Sequence, residues 1–254
     1  MNQERRNQIV ELLREKQLVK NAELMDRFGI SIETVRRDLQ YLEEQGVLER
    51  VYGGAVRKTF INTEPSYANR EQVSNKEKRA IAAEAQRMIM PRDTVFFDLG
   101  TTVMLVAQLL DKDKPITAFT NALRTAMVLS ESEGCEVILP GGRLRAAELS
   151  VSGSMSEENM RQFNVDKALI GFAGITEEGI SDFIIEEGTL RRQVIQNARQ
   201  VIALADHSKF GIRAVSNICT LEDIDVLITD EKAPQEILDK LRDRGAKVVI
   251  VKTE

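Results

Sequence analysis

The chain has 254 residues, 43% hydrophobic and 30% charged, which excludes a largely disordered protein. Its 35 basic and 40 acidic side chains give a net charge of −5, so bulk attraction to nucleic acid or to an anionic membrane is excluded and any DNA contact must come from a local patch. Two cysteines and one histidine cannot assemble a Cys/His metal cluster or a disulfide scaffold, and with neither a membrane-length apolar run nor an apolar leader the expected location is cytoplasmic.

Residues 1–58 carry 11 Lys/Arg and 10 Asp/Glu, against 24 and 30 in the remainder, a small asymmetry with the sign expected of a DNA-binding head. Ile9, Leu12 and Leu13 have the i, i+3, i+4 spacing of one helix face. Leu24, Met25 and Phe28 repeat that spacing after Asn21, which can cap a second helix. Gly29 then ends this helix and Ser31 can cap a third, in which Val35, Leu39 and Leu42 turn one stripe inward as far as Gly46. The segment VLERVYGGAVRK follows as two β-prone runs around Gly53-Gly54, which are expected to supply the positive φ angles of a tight hairpin.

Residues 59–74 have no clear period and read as a linker. Ser74 with Glu77 three positions later predicts a capping box for a helix running to about Met90, stopped by Pro91. From there TVFFD, ITAFT, EVILP, KALIGF, VIALAD and DVLITD alternate with helical stretches, and KVVIV closes the chain. Uninterrupted apolar strands between helices predict an α/β unit with a mostly parallel sheet covered on both faces. The expected division is a head at 1–58, a linker at 59–74 and an α/β unit at 75–254.

With Val35, Leu39 and Leu42 inward, a helical wheel puts Glu33, Arg37 and Gln40 on the opposite face and Thr34, Arg36 and Tyr41 on its flanks. Arginine can donate bidentately to guanine O6 and N7, glutamine can pair with adenine, and Ser31 and Thr34 near the helix start can bind phosphate. Taken alone, Glu33 and Arg37 could equally form a solvated ion pair. Their setting favours DNA: three helices, a tight turn and a Gly-Gly hairpin edged by Arg50, Arg57 and Lys58 describe a winged helix-turn-helix.

In the α/β unit, small and polar residues follow one strand after another: Asp98-Leu99-Gly100-Thr101-Thr102, Thr120-Asn121-Ala122, Gly141-Gly142, Gly171 and Asp206-His207-Ser208-Lys209. The carboxyl ends of parallel strands share one edge, where open α/β sheets bind ligands, so these segments are expected to converge on an anion site. Each has a plainer reading. Gly-Thr-Thr can be only a helix start, Gly141-Gly142 only a turn, and Cys135 and Cys219 only packing residues. DLGTT lacks the lysine of a P-loop, and Asp206, His207 and Ser208 are too close in sequence to make a catalytic triad.

The run SIETVRRDLQYLEEQGVLERVYGGA resembles the head of DeoR-type bacterial transcription regulators, matching their pattern at Ser31, Thr34, Val35, Arg36, Arg37, Asp38, Leu39, Leu42, Gly53, Gly54 and Ala55. DLGTT, TNA, PGG, VDKALIGFAGI, the helix from Glu187 and ADHSKFG resemble the DeoR sensor domain, which is similar in fold to ribose-5-phosphate isomerase and glucosamine-6-phosphate deaminase. The resemblance implies a repressor of sugar metabolism genes whose operator affinity is set by a phosphorylated sugar, acting as a homodimer or homotetramer, with no cofactor. It also implies that Asp98, Gly100, Thr101, Thr102, Asn121, Lys209 and Glu187 contact the effector. Asp182 and Glu186 could read its hydroxyls or be merely solvated. Where the isomerases carry a Gly-Ala-Asp-Glu run, this chain has Phe172-Ala173-Gly174-Ile175, so no acid-base carboxylate is expected there and no catalytic residue is assigned. The rival reading is a sugar-phosphate isomerase or deaminase with an accessory DNA-binding domain.

Overall fold

The computed structural model describes residues 2–16, 18–44, 47–57, 60–61 and 64–253. The chain divides into two units, Met1–Pro65 and Ser66–Glu254.

The first unit runs α1 (Asn2–Lys16), β1 (Leu18–Lys20), α2 (Asn21–Phe28), α3 (Ile32–Glu44), β2 (Leu48–Val51), β3 (Gly54–Arg57) and β4 (Phe60–Ile61). The apolar stripes of the helices meet: Ile9, Leu12, Leu13, Leu24, Val35, Leu39 and Leu42 form one core with Val19, Leu48 and Ala55. Antiparallel pairing in the order β1-β3-β2 makes the wing sheet. Three expectations need correction. Of Leu24, Met25 and Phe28, only Leu24 is fully buried and Met25 is exposed. Asn21 lies inside α2, whose N-cap is Lys20. Only Gly53 takes a positive φ, of 84°. Gly54 is required for another reason: a Cβ there would lie 2.0 Å from the Val19 carbonyl oxygen of the crossing strand β1.

The second unit runs α4 (Tyr67–Gln72), α5 (Asn75–Arg87), β5 (Thr94–Phe97), α6 (Thr101–Leu109), β6 (Ile116–Thr120), α7 (Leu123–Ser130), β7 (Cys135–Ile138), β8 (Arg143–Arg145), β9 (Ser150–Ser152) and α8 (Ser154–Met160). It continues β10 (Lys167–Ile170), β11 (Gly174–Thr176), β12 (Gly179–Asp182), α9 (Ile185–Asn197), β13 (Val201–Leu204), β14 (Arg213–Ala214), β15 (Ser216–Cys219), β16 (Val226–Asp230), α10 (Gln235–Asp243) and β17 (Lys247–Val251). All seven expected strands join one parallel sheet in the order β17-β16-β13-β10-β5-β6-β7. Their unbroken apolar runs follow from burial on both faces. Val95, Phe97, Ala118 and Leu169 pack with α5 and α6, whereas the alternate residues Phe96, Phe119, Ala168 and Ile170 pack with α9 and α10.

Two local expectations fail. Part of the supposed linker is helix α4, capped by Ser66, whose Oγ accepts from the Asn69 N–H at 3.4 Å. Ser74 makes no side-chain cap: its backbone is left-handed at φ 52° rather than extended, and Glu77 receives a bond from Lys232 Nζ at 2.9 Å.

Candidate DNA interface and effector site

On α3, Glu33, Arg36, Arg37 and Gln40 are exposed and Thr34 is half-buried, as the wheel requires. Ser31 caps the helix: its Oγ accepts from the Thr34 N–H at 3.3 Å and lies 3.1 Å from Thr34 Oγ1. Gln40 donates to Glu44 at 3.0 Å, while no ion pair involving Arg36 or Arg37 is present among the described residues. Arg50 at the base of the wing is held by Glu43, through its Nε at 2.6 Å and its backbone N–H at 3.0 Å. The Arg57 side chain and all of Lys58 lie outside the described residues. Tyr52 is fully exposed at the wing tip.

One residue of the Arg-Arg-Asp motif turns inward. Asp38 is buried and receives Arg5 Nη2 at 2.6 Å and Arg6 Nε at 2.8 Å, while the Arg6 guanidinium lies 3.8 Å over the Tyr41 ring. It thereby ties α1 to α3 and sets the angle at which α3 is presented.

In the second unit the chain leaves β5 toward β6 and β7 on one side and returns as β10 on the other, so the β5–β10 boundary is a topological switch point. Asp98 follows β5 there, and its carboxylate is consumed by protein. It accepts from Leu99 N–H at 2.8 Å, Gly171 N–H at 3.2 Å and Arg191 Nε at 2.5 Å. Arg191 also bonds Asp182, and all three side chains are buried. Burial pushes the Asp98 carboxyl up to about 6 against the pull of Arg191, and the two carboxylates hold the guanidinium firmly charged. Asp98 and Gly171, expected to face a ligand, and Asp182, left open between a ligand contact and solvent, therefore pin the loops here.

Other expected contacts are also spoken for. Glu187 Oε1 receives Arg145 Nε and Ser150 Oγ, each at 2.7 Å. Asp206 Oδ1 receives the Ser208 N–H at 3.0 Å, and Thr120 Oγ1 the Ala122 N–H at 3.1 Å. Gly141 and Gly142 have φ of 73° and 115° in a turn anchored by Asn159 Nδ2 on the Pro140 carbonyl at 2.7 Å. A Cβ on Gly142 would meet Ser156 Oγ at 2.2 Å, so packing already accounts for this glycine. His207 pairs through Nδ1 with buried Asp230 at 2.9 Å, away from any triad. Glu186 is exposed and lies 3.6 Å from Arg143.

What remains has the chemistry of an anion site. Gly100, at φ 138°, precedes α6, and no side chain caps the helix that opens with Thr101 and Thr102, so its first-turn N–H groups lack a side-chain acceptor. Asn121, on the neighbouring strand end, is buried and its Oδ1 has no hydrogen-bond partner. Lys209 closes the turn after β13. Sequence reasoning missed Lys78 of α5, which is buried close enough to feel Asp206, Lys209, Arg70 and Glu77. Burial, with repulsion from Lys209 and Arg70, holds its ammonium at about 8 against the pull of Asp206 and Glu77. Lys209 follows β13 and Gly100 follows β5, so both lie at the carboxyl edge of the same parallel sheet, where cations and a helix start favour an anion.

A winged helix-turn-helix unit joined to a doubly wound α/β unit defines a DNA-binding transcription regulator. Residues 5–59 match the DeoR-like helix-turn-helix domain and residues 73–231 the DeoR C-terminal sensor domain, and the chain belongs to the DeoR family. It is 36% identical to the HTH-type transcriptional repressor GlcR of Bacillus subtilis (strain 168), over 99% of this chain and 97% of that protein. It is 33% identical to the glycerol-3-phosphate regulon repressor of Escherichia coli (strain K12), over 94% of this chain and 95% of that one. These relatives are regulators rather than enzymes. A solved ribose 5-phosphate isomerase A of Methanocaldococcus jannaschii is similar at 17% identity and TM-score 0.37, over 52% of this chain and 53% of that chain. No helix among the described residues is long and apolar enough to cross a membrane.

Proposed function

We propose that the protein is an operator-binding repressor of sugar metabolism genes, released or engaged by a small phosphorylated sugar bound at the switch point. The observation that carries the effector reading is the uncapped start of α6 at Gly100-Thr101-Thr102, which shares the carboxyl edge of the sheet with Lys209, whose charge the buried Lys78 feels. The likeness to the glycerol-3-phosphate regulon repressor of Escherichia coli supports a phosphate ester as the controlling group. In this reading the Asn121 amide oxygen accepts from an effector hydroxyl, and Arg37 and Arg36 read base edges while Ser31, Thr34, Arg50, Arg57 and Lys58 hold the backbone. A single winged head reads few base pairs, so the working form is a homodimer or homotetramer on repeated half-sites, in the cytoplasm.

The test is a thermal-shift panel of sugar phosphates followed by operator binding with the metabolite that scores. A ligand at a hundredfold excess over its Kd stabilises the fold by about 2.7 kcal/mol, enough to raise the melting temperature by several degrees. Lys209→Ala should lose both the shift and the change in operator affinity. A variant that responds fully would show that the phosphate sits elsewhere.

A further inference from the structure

The buried ammonium of Lys78 does not stand alone: it donates to the backbone carbonyl of Arg70, the fourth residue of α4. That helix is anchored a second time by Arg70 itself, whose guanidinium pairs with buried Glu148 in the loop before β9. Tyr67, its first residue, lies under the guanidiniums of Arg124 at 4.8 Å and Arg70 at 5.9 Å. The helix begins two residues after Pro65, where the first unit ends. The only segment joining the two units along the chain is thus tied to a side chain of the anion cluster.

We infer that Lys78 is a positioning residue that couples the effector site to α4, an anion at Gly100-Thr101-Thr102 tightening its hold on the Arg70 carbonyl and so fixing the segment that carries the chain into the DNA-binding head. The inference rests on the anion-site reading and adds its mode of regulation. The chemistry is simple. An ammonium has three donors, so Lys78 can bond the carbonyl and a phosphate oxygen together. A neighbouring anion keeps it charged, and a charged donor makes a stronger bond than a neutral amine. Burial and the cations Lys209 and Arg70 work against that charge, and an anion would offset them.

Hydrogen exchange across residues 67–73 of the full chain tests this, with inorganic phosphate as probe and the melting temperature read in parallel. Binding should slow exchange of this helix severalfold at the concentrations that raise the melting temperature. In Lys78→Gln, which keeps a donor without charge, a weakened thermal shift should persist through Lys209 and α6 while exchange of residues 67–73 no longer responds. Lys78→Arg should restore the response. Unchanged exchange in the wild type at phosphate levels that do raise the melting temperature would overturn the coupling and leave the anion site standing, even if the glutamine variant fails to fold. A full response in Lys78→Gln would overturn it equally. Absence of any thermal shift in the wild type would remove the anion site, and the coupling with it.

Discussion

Arg191 and Asp98, 93 positions apart, meet through a bond of 2.5 Å from Nε to Oδ2 with both side chains buried. The pair stitches α9 to the end of the central strand β5, and its second carboxylate, Asp182, brings in the small antiparallel sheet β11-β12-β15. Removing the cation alone strands two buried carboxylates. Arg191→Met should therefore cost about 3–5 kcal/mol in urea unfolding, while the triple change with Asp98→Asn and Asp182→Asn should recover much of the loss. A single variant as stable as the wild type would show that the carboxylates are hydrated or neutral.

Arg37 projects from α3 with no ion pair among the described residues, whereas Arg50 is held by Glu43. Arg37→Ala should weaken specific binding by about 1–3 kcal/mol and relax preference at one base pair. Titrations on operator and random duplexes check this, and equal losses on both would reduce Arg37 to a phosphate contact.

The ammonium of Lys78 titrates near 8 in the fold and near 10.5 unfolded, so between these values unfolding takes up a proton. Its burial weighs against the fold in full below about pH 8 and fades as the pH rises toward 10.5, a change of about 3 kcal/mol. The stability of the wild type relative to Lys78→Met should accordingly rise between pH 8 and 10. Near pH 8, phosphate binding should also take up a fraction of a proton, seen by calorimetry in two buffers of different ionisation enthalpy. The charged groups facing Lys78 are Asp206, Lys209, Arg70 and Glu77, and proton release instead of uptake would contradict this assignment.

The two wing glycines should separate by mechanism. Gly53→Ala meets open space but a φ of 84°, costing about 1–2 kcal/mol. Gly54→Ala puts a methyl 2.0 Å from the Val19 carbonyl and should break the β1–β3 pairing, with a larger loss of stability and of DNA binding. Equal losses at the two positions would mean that β1 can move aside.

The strands were readable because both faces are covered, so each is an apolar run between helices; their order in the sheet, with β10 returning beside β5, has no such local signal. The short antiparallel pieces β8-β9 and β11-β12-β15 were not, since three or four residues carry no measurable alternation. Of the proposed anion site, only the residues that follow strand ends were legible. Lys78, Arg191, Glu187 and Asp38 have partners that spacing cannot reveal for one reason: each sits on the inward stripe of its helix, at a position where spacing predicts an apolar residue. Lys78 shares its stripe with Ile81, Ala82 and Ala85, and Arg191 shares its own with Glu187, Leu190 and Val194. A charge in register with such a stripe marks a buried pair or a ligand group, and the pairing of Asp98 with Arg191 cannot be read across 93 positions of sequence.

The order of strands in the large sheet also bears on how the chain comes off the ribosome. β5, β6 and β7 are made consecutively, yet the inner edge of β5 pairs only with β10, and Phe97 waits for Leu169. Until that partner emerges, a nascent half-sheet presents an open hydrogen-bonding edge next to Phe96 and Phe97, the setting in which strands of different chains pair wrongly. The helix-turn-helix head has its own core and closes on contacts near in sequence, so it can be finished while the sensor is still half built. Nascent protein would then hold a folded head on an unfinished sensor, and synthesis at high rate should call on chaperones during the interval between β7 and β10.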